Sequence, residues 1–189
     1  YMTYSNDIRK LFDLKDPNII FDTSSFSAPA ERIRGVEHKI ITARLTYTPK
    51  ACAKCGATNE AFTVIKNGSK ISRILLGHLN WSPITLKLKK QRFFCKACHQ
   101  SFCAETALVD RHCFISNLVK LAVALELQQT QAMTDTAHRL TVSPSTVIRV
   151  LEAVGETLDP DTTRLPKHLS FDEFKSVKAA KGAMSFVYA

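Results

Sequence analysis

Two short cysteine repeats constrain this chain more than any other feature: Cys52-Ala-Lys-Cys55-Gly56 and Cys95-Lys-Ala-Cys98-His99. Each is a C-x-x-C, a turn that lets two sulfurs converge on one ion. Two such turns supply the four thiolates of a tetrahedral zinc site, so Cys52, Cys55, Cys95 and Cys98 are the predicted ligands. The chain must then fold back over residues 56–94 and close on the metal. A closed four-thiolate site leaves no position for water, which makes the expected role structural. Gly56 suits a tight backbone that aims an N–H at a sulfur. Spacing alone leaves three other readings open: unliganded core thiols, iron in place of zinc, and His99 replacing Cys98.

The segment between the repeats reads as a small antiparallel meander. Phe62-Thr-Val-Ile65 and Ile71-Ser-Arg-Ile-Leu-Leu76 flank Asn67-Gly68, a strong short-range hairpin signal. The alternating stretch Ile84 to Phe94 follows. With residues 49–105 as a zinc ribbon, residues 1–48 become a lead-in: a short amphipathic helix within residues 1–16 with Ile8, Leu11 and Phe12 on one side, then a strand through Lys39, Ile41, Ala43, Leu45 and Tyr47.

Charge gives a first indication of a partner. The chain carries a formal net charge of +9, which favours a polyanion. Between Ala61 and Ala104 there is no Asp or Glu, while Lys66, Lys70, Arg73, Lys87, Lys89, Lys90, Arg92 and Lys96 all fall there. Lys87, Lys89, Lys90 and Arg92 are the candidate phosphate contacts, with a solvated strand face as the plain alternative. No run approaches a membrane span, and Arg9, Lys10, Asp13 and Lys15 interrupt the N-terminus where a signal peptide would be apolar. A cytoplasmic protein without a membrane partner is expected. That setting disfavours disulfides and leaves Cys103 and Cys113 as ordinary thiols.

Residues 114–158 carry helical periodicity in three pieces, Ser116–Gln129, Met133–Leu140 and Pro144–Thr157. Ser143 is a good N-cap, and Pro144 occupies the first helical position at no cost. Val147, Leu151 and Val154 form the predicted buried stripe, leaving Ser145, Thr146, Arg149 and Glu152 outward. Two short helices joined by a three-residue turn fit a helix-turn-helix, whose second helix would enter the major groove. Ser143, Ser145, Thr146 and Arg149 are then the candidate DNA contacts. A plain three-helix packing unit is the alternative. Residues 159–167, with two prolines, read as a linker. A strand at His168–Phe174 and a partner at Ser185–Tyr188 follow, and Asp172 within the first reads most simply as an edge-strand acid.

In this order the parts resemble bacterial insertion-sequence transposases of the ISL-three type. The resemblance rests on Cys52-x-x-Cys55-Gly56, on Gln91-Arg-Phe-Phe-Cys95-x-x-Cys98 with Phe102, on Val142-Ser-Pro-Ser-Thr-Val147, and on Leu169-Ser-Phe-Asp-Glu-Phe174. It implies an α+β chain: a small zinc ribbon, a tri-helical helix-turn-helix, and over 168–189 the first hairpin of an incomplete RNase H-like domain. It implies nucleoid-associated binding to double-stranded DNA at the inverted repeats of element ends, and self-association as a further contact. It also makes Asp172 the candidate first acid of an Asp-Asp-Glu set that would hold Mg2+ in a complete parent enzyme. The chain ends at Ala189 within an apolar run, short of a second Asp and a Glu, so a truncated and inactive piece is expected. A standalone transcription regulator is the other functional expectation.

Overall fold

The computed structural model describes residues 9–22, 24–129, 131–157, 171–175 and 184–188, the last two segments by backbone alone. Its contacts divide the chain into two units, Tyr1–Ala153 and Val154–Ala189.

The first unit is built on one long strand. β5 (Ser82–Cys95) pairs antiparallel with β4 (Val64–Leu79) along its whole length. On its other edge, residues 84–90 pair in parallel with β3 (Val36–Leu45), and Arg92–Phe94 pair with β6 (Ser101–Cys103). β1 (Ile19–Ile20) and β2 (Glu31–Ile33) add to β3, completing six strands. Leu86 and Leu88 of β5, Ile74 of β4, Leu45 of β3 and Ile19 of β1 are fully buried on this sheet. Burying a Leu or Ile side chain contributes about 1.5–3 kcal/mol, so these positions fix the register.

Three helices follow: α1 (Asn117–Glu126), α2 (Met133–Arg139) and α3 (Pro144–Gly155). Ser116 anchors the first. Its buried hydroxyl accepts the Val119 N–H at 3.3 Å and donates to the Leu76 carbonyl, while its backbone N–H donates to the Leu75 carbonyl. A small second cluster joins Val123, Ala137, Val147 and Val150. In the second unit β7 (Phe171–Lys175) pairs antiparallel with β8 (Met184–Tyr188), a two-stranded sheet.

This architecture overturns the expected one. The described residues are mostly β-sheet with a few short helices, not a zinc ribbon followed by a tri-helical helix-turn-helix. The reason is the parallel β3–β5 pairing. It makes the expected lead-in a structural part of the sheet, so residues 49–105 form no independent module. The linker expected at 159–167 lies outside the described residues.

Two local readings also change. Asn67-Gly68 is no hairpin turn. Lys66 pairs with Phe93 and Ser69 with Gln91, so the two residues face Arg92 alone as a bulge, with Gly68 at φ +73°. The turn falls at Asn80-Trp81, between the paired Leu79 and Ser82, with φ of 50° and 65°. Both angles suit a type I′ turn, whose second position favours Gly. In α3, Val147 and Val150 are buried, whereas Leu151 and Val154 are exposed. The face turned to the core is rotated from the predicted stripe because α3 packs against α1 and α2 rather than against a deep core.

Trp81 is 98% exposed and holds a left-handed conformation that costs a bulky side chain about 1 kcal/mol or more. Trp81→Gly is therefore expected to raise stability by about 0.5–1 kcal/mol, read as a higher denaturation midpoint. A lower midpoint would mean that the indole makes a stabilising contact.

A second expectation concerns pH. Buried His38 contacts the Thr85 hydroxyl through Nδ1 at 2.8 Å, and His78 contacts the Thr141 hydroxyl through Nε2 at 2.8 Å. Burial lowers both imidazole pKa values below the ordinary 6.5. The unfolded chain therefore binds protons more readily, and stability should fall as pH drops below about 6.5. Denaturant midpoints from pH 7.5 to 5 measure this, and His38→Gln should flatten the profile.

Candidate metal centre

β5 carries Cys95 at its last position, and Cys98 lies in the turn that leads into β6. The first knuckle occupies the loop between β3 and β4. A short bridge between Ala51 and Thr58 closes this loop, and the Cys52 N–H donates to the Ala57 carbonyl at 2.8 Å. Asn59 fastens it to the sheet: its side-chain amide donates to the Pro49 carbonyl, and its Oδ1 accepts the Val64 N–H at 2.8 Å. The Lys96 N–H donates to the Thr63 carbonyl and draws the second knuckle to the same place. Asn59 and Thr63 were invisible in the cysteine spacing, because they act through backbone partners.

The four sulfurs converge. All lie within 4.8 Å of one another, with Cys52–Cys98 and Cys55–Cys95 each at 3.8 Å. A tetrahedron with metal–sulfur bonds of about 2.3 Å has edges of about 3.8 Å, so the sulfurs stand near the separation a bound ion imposes. The centre could hold one thiolate-binding metal ion. Cys52 and Cys95 are buried, while Cys55 is exposed at the rim. Tyr47 and Phe102 pack against buried Phe93 at centroid distances of 5.5 and 5.4 Å, two residues before Cys95.

The knuckles are alike in backbone as well as in spacing. The residue after each second cysteine is left-handed: Gly56 at φ +74° and His99 at φ +56°. His99 thus serves as a turn residue whose ring rests on Phe94, and it does not join the ligand cluster. Backbone donors ready the sulfurs for ionisation. The N–H groups of Cys55 and Lys54 point at Cys52, the latter at 3.3 Å, and its thiol is lowered to about 6. At Cys98 the Gln100 N–H favours the thiolate. Burial and the neighbouring sulfurs oppose it and push the thiol up to about 12. The Cys52 thiolate thus forms readily, whereas a cation would be needed to ionise Cys98.

The other predicted site residues do not gather here. Lys87 and Lys89 lie on one face of β5, and strand alternation puts Lys90 and Arg92 on the other, so the four share no single face. Lys87 ion-pairs with Glu31, which also faces Arg73 at 3.8 Å. On α3, Ser143 accepts the Thr146 N–H as a cap, and Arg149 folds back onto the Ser145 carbonyl and the Thr146 hydroxyl. Ser145 and Arg149 are exposed. Asp172 lies in β7 opposite Val187, and its side-chain surroundings fall outside the described residues. Among the described residues, the four cysteines are the one grouping suited to a metal, and no helix is long and apolar enough to cross a membrane.

No protein-family model, curated protein or solved structure matches the chain.

Cys95→Ser removes a ligand at a fully buried position. It is expected to abolish stoichiometric metal binding, read by elemental analysis of the purified chain, and to lower the melting midpoint sharply. His99→Gly should keep the metal. Loss of metal in His99→Gly with retention in Cys95→Ser would reassign the ligands.

Proposed function

We propose that the chain binds duplex DNA as the end-recognising part of an insertion-sequence transposase, and that its four-cysteine centre holds structural zinc. The observation that carries DNA binding is the charge of the sheet. Arg44 and Lys89 are direct neighbours across β3 and β5, and Lys87 and Arg73 across β5 and β4. These four cations share one face. Asp22 pairs with Arg44, and Glu31 with Lys87 and Arg73. Two carboxylates offset four cations, which leaves an excess suited to phosphate. Ser145 and Arg149 on exposed α3 supply further polar contacts of the kind that reach phosphates or base edges.

Zinc is favoured by the donor set. Four thiolates near tetrahedral spacing suit a closed-shell ion with no geometric preference of its own, and a closed set supports folding rather than chemistry. Its binding would contribute on the order of 10 kcal/mol to folding. The choice of an element end as target rests on the resemblance of the cysteine, Val142–Val147 and Asp172 motifs to the transposase family. No strand-cutting step is assigned to these residues.

Selection of duplexes from a random pool at physiological salt is the direct test. An enriched site matching an inverted repeat is expected, with affinity that falls steeply with salt. Equal binding of selected and scrambled duplexes would overturn sequence recognition, and an enriched operator palindrome at a promoter would point to a regulator. Native mass measurement should find one zinc per chain. Iron in the purified chain would overturn the choice of ion.

A further inference from the structure

The bulge at Asn67-Gly68 opens a cleft on the sheet that the charge argument above does not use. It is lined by Ser69, Lys70, Arg92, Ser101, Phe102 and Cys103, with a volume of about 430 Å³. Strands β4, β5 and β6 all contribute. Arg92 sits opposite the bulge on one edge and pairs with Cys103 on the other. The Gln91 side-chain amide donates to the Gly68 carbonyl at 2.7 Å and to the Arg92 carbonyl at 3.0 Å, which fixes the shape of the bulge.

The charges around this cleft are arranged against their own interest. Lys70 and Lys90 are direct cross-strand partners, a like-charge pair that destabilises a sheet. Arg92 follows Lys90 on the same face of β5. Among the described residues none of the three has a carboxylate at ion-pair distance. Glu105, one of the anionic groups whose charge reaches Lys90, is paired with Arg111 at 3.7 Å. Lys90 is half-buried, and desolvation and the Lys70 charge both lower its pKa. Sequence cannot supply the missing acid locally, since residues 61–104 contain none. The Ser101 hydroxyl, on the same face as Arg92 by strand pairing, adds a neutral donor to the wall.

We propose that this cleft is an oxyanion site that takes a phosphate diester of a nucleic-acid backbone, held by Lys70 and Arg92 with the Ser101 hydroxyl. An anion there relieves the Lys70–Lys90 repulsion. The Arg92 guanidinium offers the paired donors that fit phosphate oxygens. The open side admits a phosphate still joined to its sugars. The identification of the diester rests on the DNA-binding reading above. The oxyanion site itself does not.

The test uses the full metal-loaded chain, isotope-labelled for NMR, titrated with inorganic phosphate and separately with the selected duplex. The double variant Lys70→Gln/Arg92→Gln keeps the side-chain stems and removes both charges. Phosphate is expected to shift the Ser69, Lys70 and Ser101 amides saturably, and the double variant should lose that saturation. Its duplex affinity should fall roughly tenfold or more, and its salt slope should drop by about two. Linear shifts spread over the basic surface, or saturation unchanged in the double variant, overturn the site. Saturable phosphate binding in a chain that ignores duplex DNA keeps the site and overturns the DNA reading. Duplex binding with unchanged affinity and slope in the double variant keeps the DNA reading and overturns the diester assignment. Should the double variant lose its metal or its fold, the single Lys70→Gln and Arg92→Gln variants give the same readouts, each with a salt-slope loss of about one.

Discussion

The first unit depends on the backbone pairing of β5 along both edges. A strand hydrogen-bonded on one side only would leave a row of unpaired N–H and C=O groups. β4 pairs with 13 of the 14 residues of β5, all but Arg92 at the bulge, and β3 and then β6 satisfy the other edge. The side chains of β5 alternate between the core residues Leu86 and Leu88 and the cations Lys87 and Lys89, and its end delivers Cys95 to the metal centre.

The metal centre and the sheet are mutually dependent. Cys95 is in β-pairing with Val64, so the second knuckle is placed by the sheet before any ion binds. The first knuckle comes from the loop after β3 and reaches the site through Asn59 and the Ala51–Thr58 bridge. A bound ion would join the β3–β4 loop to the end of β5, closing a long stretch of chain across the sheet.

The cations are placed by alternation and by bulges. Consecutive Lys89 and Lys90 must face opposite sides, which divides one basic run between two surfaces. On one, Glu31 and Asp22 partly neutralise their neighbours. On the other, the bulge gathers Lys70 and Arg92 without an acid. Neither surface needs the helices, so the basic character belongs to the sheet.

The sequence by itself singled out the four cysteines that come together, because two C-x-x-C turns leave little freedom in which sulfurs meet. It also determined the cap at Ser116 and the start of α3 at Pro144, both set by interactions within three or four residues. Only the tertiary structure decided that β3 joins β5 in parallel, since that pairing spans over forty residues and leaves no local mark. The same pairing brought β1, β2 and β3, which lie before the first knuckle, into the sheet. Likewise Asn67-Gly68 has the composition of a turn, yet β4 runs through it, because the long partner β5 continues past it and rewards an unbroken ladder. Local chemistry fixed which residues can bend and which can bind. Long-range hydrogen bonding chose among the shapes that chemistry allows.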